Sequence, residues 1–210
     1  MKLNSLLIVL LFSFTGLHSQ DTIDNQEFKY NKLAVGISIS SLLNSMEAAQ
    51  ASVDIGLTNR VRLSSEIGYI FNSYFSNSTT GYRIRPSFEV LIYSGREIGF
   101  QIGAFALIRN LTVTFKEKVN HEEDYFEYIH VKKSKNLFGT GIAVALVAQI
   151  TDRLMMEAGI GLGKGTLKVS LDKELDSTQT QWFIPSYDRV GEYDFPIVYF
   201  NYNFSYSIFK

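Results

Sequence analysis

Apolar and polar residues alternate along most of the chain, and a period of two predicts β-strands that have two different faces. The clearest case runs from Tyr82 to Ser94, where apolar residues at even positions oppose Arg83, Arg85 and Glu89. The carboxyl-terminal segment 198–208 repeats the pattern, with aromatic and aliphatic residues opposite asparagine and serine. These segments are therefore predicted to be two-faced strands.

Eight such segments follow one another, and the lengths of their connections alternate. They cover residues 33–41, 48–57, 61–75, 82–94, 98–109, 138–150, 154–163 and 198–208. Short polar turns lie at 58–60, 94–97 and 151–153, whereas the links at 72–81, 117–131 and 172–194 are long. Transmembrane barrels have this rhythm because their periplasmic turns are short and their extracellular loops long. The prediction is an all-β fold: an eight-stranded antiparallel up-and-down transmembrane β-barrel over residues 32–210.

The alternation alone does not say which face meets water, so the choice between a membrane barrel and a soluble barrel depends on the residues of the polar face. That face is rich in glycine and alanine, which suit a crowded interior, and its charges nearly cancel, as a closed lumen requires. Aromatic residues near the strand ends, Tyr199 among them, fit an interfacial girdle. The predicted charge network of the lumen comprises Asp54, Arg62, Glu66, Arg83, Arg85, Glu89, Arg109 and Glu157.

The apolar residues change parity near Arg109-Asn110 and again near Lys164-Gly165. Beyond the first point they are Leu111, Val113 and Phe115. A β-bulge accounts for such a switch, and so do strands that extend above a bilayer.

The amino terminus has the pattern of an export signal. Lys2 supplies a positive charge, residues 6–12 are apolar, and small residues precede Gln20. This apolar run is shorter than the roughly 20 residues that a spanning helix needs. Residues 1–19 are therefore predicted to be a signal peptide, with a single membrane anchor as the alternative. Residues 20–31 are predicted to be a flexible arm.

The leader, the eight amphipathic strands, the alternating loops and the aromatic final strand together resemble small outer-membrane barrels of the OmpA/OmpX type. The Leu-His-Ser-Gln zone and the Arg-Ile-Arg-Pro-Ser-Phe-Glu strand are similar to porin-family barrels common in Bacteroidota. The resemblance implies export to the bacterial outer membrane, contact with its lipid and lipopolysaccharide, and recognition of the last strand by the barrel-assembly machinery. Phe209 is followed by Lys210, which departs from the usual aromatic terminus.

Composition narrows the chemistry further. The 210-residue chain has no cysteine and a formal charge of −1, which gives no basis for thiolate chemistry and no concentrated basic face for nucleic acid. The glycine-rich run 159–165 does not open a helix and is attributed to crowding in the lumen rather than to a phosphate loop. No cofactor, metal or catalytic residue is predicted, and the protein is expected not to be an enzyme.

Two loop clusters remain as candidate sites. His121 to Asp124, with Glu127 and His130, form either a cation site or, as favoured, a solvated acidic loop. Aromatic residues in the long loops either form a partner-binding tip or pack in the interfacial girdle. These residues are Tyr125, Phe126, Tyr128, Trp182 and Phe183.

Three functions are compatible with the sequence. The first is a structural or surface-interaction barrel, which stabilises the envelope or presents its loops to an unknown extracellular partner. The second is a narrow pore for small solutes or ions, with the lumen charges as its path. The third is a soluble periplasmic barrel that binds a ligand. Small eight-stranded barrels leave little more than the space their own side chains fill, which favours the first over the second.

Overall fold

The chain folds into eight β-strands in a computed structural model that describes residues 29–38, 48–74, 77–120, 126–172 and 190–209. The strand bounds, in chain order, are β1 Leu33–Ser38, β2 Ala48–Gly56, β3 Val61–Tyr74, β4 Asn77–Ser94, β5 Ile98–Asn120, β6 Phe126–Gln149, β7 Leu154–Leu171 and β8 Gly191–Phe209.

Each strand pairs in antiparallel fashion with the next one, and β1 pairs with β8, so the sheet closes into a ring. This confirms the predicted all-β, eight-stranded, up-and-down barrel. Three short turns, at residues 57–60, 95–97 and 150–153, lie at the same end as the start of β1 and the end of β8; this end is called the turn end below. No helix within the described ranges is long and apolar enough to cross a membrane.

The two faces of the barrel wall have opposite polarity, because successive side chains of a strand point to opposite sides of the sheet. The exposed outer side is apolar over the part of the wall nearest the turn end. The largest exposed fractions there belong to Ile37, Ile67, Tyr69, Ile92, Tyr93, Phe138, Ile142, Leu146, Val198, Phe200 and Phe209. The inner side carries most of the buried polar and charged residues. A water-soluble barrel has the reverse arrangement.

The long strands continue past their predicted ends. β5 reaches Asn120 and β6 begins at Phe126, so most of the loop predicted at 117–131 is a hairpin of paired strands. β7 likewise extends to Leu171, and β4 begins at Asn77 rather than at Tyr82.

The parity changes at Arg109-Asn110 and Lys164-Gly165 are not bulges. The β5–β6 register runs unbroken from Ile98↔Ala148 to Asn120↔Phe126, and the β6–β7 register is also continuous. The apolar residues beyond these points therefore point inward, and Leu111 and Val131 are fully buried. The register shifts recorded in the described pairs lie elsewhere, between Leu91 and Tyr93 and between Leu33 and Ala34.

Candidate functional site

The centre of the charged interior is Arg62, which projects inward from β3 and contacts carboxylates from three other strands. Its Nε donates to Glu89 Oε2 at 2.7 Å, and its terminal nitrogen binds both Glu89 and Glu157. Asp54 Oδ2 lies 3.8 Å from the other terminal nitrogen. All four residues are less than a tenth exposed. Because they come from β2, β3, β4 and β7, these ion pairs tie opposite sides of the wall together.

Neutral side chains donate further hydrogen bonds to these carboxylates, although Asp54 Oδ2 has no hydrogen-bond partner. Ser64 donates to Asp54 at 2.5 Å, Ser87 to Glu89 at 2.7 Å, and Asn201 to Glu157 at 2.5 Å. Buried carboxylates need such partners, since an unsatisfied buried charge is strongly unfavourable.

Tyr30 closes this cluster from the turn end. Its hydroxyl donates to Gln101 at 2.6 Å, and its ring lies 4.9 Å from the Arg62 guanidinium. Gln101 in turn donates to Glu89 at 3.2 Å. Tyr30 belongs to the segment predicted as a flexible arm, and it is only 6% exposed inside the barrel.

A second ion pair lies farther from the turn end. Arg85 on β4 binds Glu66 on β3, and Gln50 on β2 donates to the same carboxylate. The Arg85 guanidinium stacks 3.7 Å from the centre of the Tyr199 ring. Tyr199 also meets Phe105 edge-on, with ring centroids 4.9 Å apart. The prediction that Tyr199 belongs to an outer girdle is therefore wrong, because it occupies an inward-facing position on β8.

Arg83 and Arg109 also point inward, but they differ from the other two arginines. They are direct partners in the β4–β5 register and are half-buried. Arg83 donates to the amide oxygen of Gln50. Neither forms a salt bridge with any carboxylate of the described residues, and the buried Nε of each has no hydrogen-bond partner.

Thus the structure places all eight predicted lumen charges on the inner face but joins only six of them by ion pairs. Sequence reasoning did not single out Tyr30, Gln50, Gln101, Tyr199 or Asn201 as members of the cluster. The inward parity of Gln50, Gln101 and Asn201 was a usable signal for them. Tyr30 precedes the first strand and therefore had no parity to read.

Apolar layers fill the barrel on both sides of the charges. Tyr30, Ala34, Leu91, Val147 and Met155 pack at the turn end. A larger cluster packs on the β5–β8 side, and consists of Phe105, Leu107, Leu137, Leu167, Val169 and Ile197. Between the layers is a cavity of about 10 Å³ bordered by Glu89, Glu157 and Tyr199, about the space that one water molecule needs.

The glycine run 159–165 lines the inner wall, as predicted. A Cβ at Gly161 would overlap the Tyr199 ring, and one at Gly163 would meet the backbone of β6. These glycines make room for large side chains and strand contacts in a narrow interior.

The predicted loop sites lie largely beyond what the structure describes. Tyr125, Trp182 and Phe183 are outside the described residues, as are His121 to Asp124 of the acidic loop. The backbones of Phe126 and Tyr128 belong to β6, paired with Asn120 and Lys118. Within the described ranges, no group of three or more His, Cys, Asp or Glu residues is arranged to hold a metal ion.

Comparison with known proteins does not add to this description. No protein-family model, no curated protein and no solved structure matches the chain.

Proposed function

We propose that this protein is an integral β-barrel of a bacterial outer membrane with a structural or surface-interaction role and no catalytic step. The observation that carries the proposal is the inverted polarity of the wall, apolar outside and charged inside. A bilayer is the solvent that such a wall fits, because it covers apolar side chains and leaves polar ones to a closed lumen.

The height of the apolar outer surface supports the same proposal. This surface, called the belt below, spans nine to eleven residues on each long strand: 61–71, 82–92, 98–108, 138–148, 154–162 and 198–208. A tilted membrane-spanning strand needs about 9–11 residues to cross the hydrocarbon core.

The wall changes character beyond the belt. Outward positions there are polar, as at Asn110, Asn136 and Lys164, while inward positions become apolar, as at Leu111 and Leu167. That is the polarity of a barrel segment surrounded by water. We therefore propose that β4 to β8 extend out of the bilayer on the side opposite the turn end and carry the loops with them.

A structural or interaction role is favoured over a pore because the interior is filled. Arg62 and Arg85 are engaged with carboxylates, and packed apolar clusters lie above and below the Arg62 cluster. Ions crossing the barrel would have to displace these pairs. Eight-stranded barrels generally hold side chains alone.

Export, lipid contact and assembly follow from this role as parts of the same proposal. Residues 1–19 would direct export, although they lie outside the described residues. Membrane lipid and lipopolysaccharide would cover the belt, and the barrel-assembly machinery would insert the chain.

Two measurements test membrane residence. We expect the expressed protein in the detergent-insoluble envelope fraction, and we expect its gel mobility to change on heating, because folded barrels resist detergent. Recovery in the soluble fraction with heat-insensitive mobility would support a soluble periplasmic barrel and overturn the proposal.

A third measurement separates the structural role from transport. We expect planar bilayers containing the folded protein to show no single-channel current. The matched control is the variant Arg62→Gly, which removes the central side chain of the Arg62 cluster. Regular current from the unaltered protein would establish the pore and contradict the proposed role.

A further inference from the structure

Arg83 and Arg109 form a cationic pair, and neither makes an ion pair with a carboxylate in the part of the chain that the structure describes. They are register partners on β4 and β5, so both guanidiniums project into the same part of the lumen. Like charges directly opposite one another on a sheet are destabilising. The arrangement therefore calls for a counter-charge at this position.

The neighbouring side chains do not supply that charge. Along the register that runs through Arg83 and Arg109, the inward positions on neighbouring strands are Gln50, Gly68, Leu137, Leu167 and Tyr193. The Glu66 carboxylate attracts Arg83, but it already binds Arg85 and Gln50. The next two inward positions of β6 beyond Leu137 are Lys135 and Lys133.

The pair also has hydrogen-bond donors that no partner uses. The Nε groups of Arg83 and Arg109 are buried without a partner, and unpaired buried donors are unfavourable. Both arginines are partly exposed, so a small solute can reach them.

We propose that Arg83 and Arg109 form a binding site for a small oxyanion of the phosphate class inside the barrel. A guanidinium presents its donors in a fixed fork that matches the oxygens of phosphate. Two facing guanidiniums would hold one tetrahedral anion between them, and its charge would relieve their repulsion. The site is independent of membrane insertion, since it rests only on the inner face.

The test is calorimetric titration of the full chain, folded in detergent micelles, with inorganic phosphate at constant ionic strength. We expect saturable binding with one phosphate per barrel. Arg83→Gln and Arg109→Gln should each weaken it about tenfold or more, since each removes charge-assisted hydrogen bonds. Arg153→Gln alters an exposed arginine in a turn and should leave the affinity unchanged.

A second measurement distinguishes this site from a hidden internal ion pair. In phosphate-free buffer, Arg109→Gln should unfold at the same urea concentration as the unaltered protein or a higher one, because it removes an uncompensated charge. Phosphate should then raise the midpoint of the unaltered protein but not that of the variant. Absence of phosphate binding, an affinity of either glutamine variant equal to that of the unaltered protein, or marked destabilisation by Arg109→Gln would each overturn the proposal.

Discussion

Arg62 is the residue on which the stability of the interior depends most. Its charge is shared among Asp54, Glu89 and Glu157, all of them buried. Replacing it by methionine keeps most of the side-chain volume but leaves three carboxylates without a cation. We expect Arg62→Met to lower the free energy of unfolding by about 3–5 kcal/mol, the range seen when one partner of a buried pair is removed.

Urea unfolding in micelles measures this change, and Lys164→Gln is its control. Lys164 pairs with Asp194 at 2.9 Å, but both side chains are more than two-thirds exposed. An exposed pair contributes about 0–1 kcal/mol. Similar stability for the two variants would show that the Arg62 cluster is not what holds the strands together.

Gly161 is the second residue whose substitution has a defined outcome. The Tyr199 ring that covers it is held between Arg85 and Phe105, so it has little freedom to move away from a new methyl group. We expect Gly161→Ala to destabilise the barrel by about 1–3 kcal/mol, as overpacking does.

The matched control is Gly68→Ala, where the nearest atoms are 3.5 Å from the added carbon. It should leave the urea midpoint unchanged or raise it slightly, because alanine restricts the unfolded chain. If both alanine variants were equally stable, the Tyr199 packing would be looser than described.

At this scale, the sequence predicts the direction of a side chain better than its partners. The alternation along the strands places Arg62, Glu89 and Glu157 on one face, and in the structure all three lie on the inner face. The alternation could not show that Arg62 binds Glu157, because that contact crosses the barrel between strands 95 residues apart. It also could not show that Arg109 lacks such a partner, since pairing depends on register and reach.

At the scale of elements, the hairpin of β5 and β6 is the feature that most needs a test. Its unbroken register puts Leu111 inside and Thr112 outside. Since the chain has no cysteine, single cysteine variants report one position at a time. We expect a maleimide to modify Thr112→Cys rapidly in the folded protein and Leu111→Cys only after unfolding. Rapid modification of Leu111→Cys would indicate a shifted register.

The alternation of the sequence does not predict the extension of this hairpin, and the reason is physical. Strand prediction assumes that the apolar residues of a strand share one face. In this barrel the apolar face changes from the outer to the inner side where the surroundings of the wall change. Leu111, Val113 and Phe115 break the alternation of β5, so the alternation predicts a strand end at Arg109. The paired backbone of the structure continues to Asn120. Between Ile98 and Ile108, where the surroundings are constant, the alternation predicted the strand correctly.

At the scale of the whole molecule, the belt predicts where a charge will be tolerated. Ile142 lies outward near the middle of the belt on β6 and is 62% exposed. Asn136 lies outward on the same strand, beyond the belt. In lipid vesicles, Ile142→Arg should lower the free energy of unfolding by about 2–4 kcal/mol, whereas Asn136→Arg should change it by about 0–1 kcal/mol.

The contrast between these two positions depends on the solvent rather than on packing, because both side chains point away from the barrel and the hydrogen bond that Asn136 accepts from Asn110 is exposed. In water, replacing an exposed isoleucine by arginine would be nearly neutral or favourable. The measurement is therefore urea unfolding of both variants in vesicles, followed by gel mobility with and without heating. A lowered free energy of unfolding for Ile142→Arg and an unchanged one for Asn136→Arg would locate the bilayer between the turn end and the polar extension of β4 to β8. Equal tolerance at both positions would mean that water surrounds the whole wall, and it would contradict the proposed bilayer.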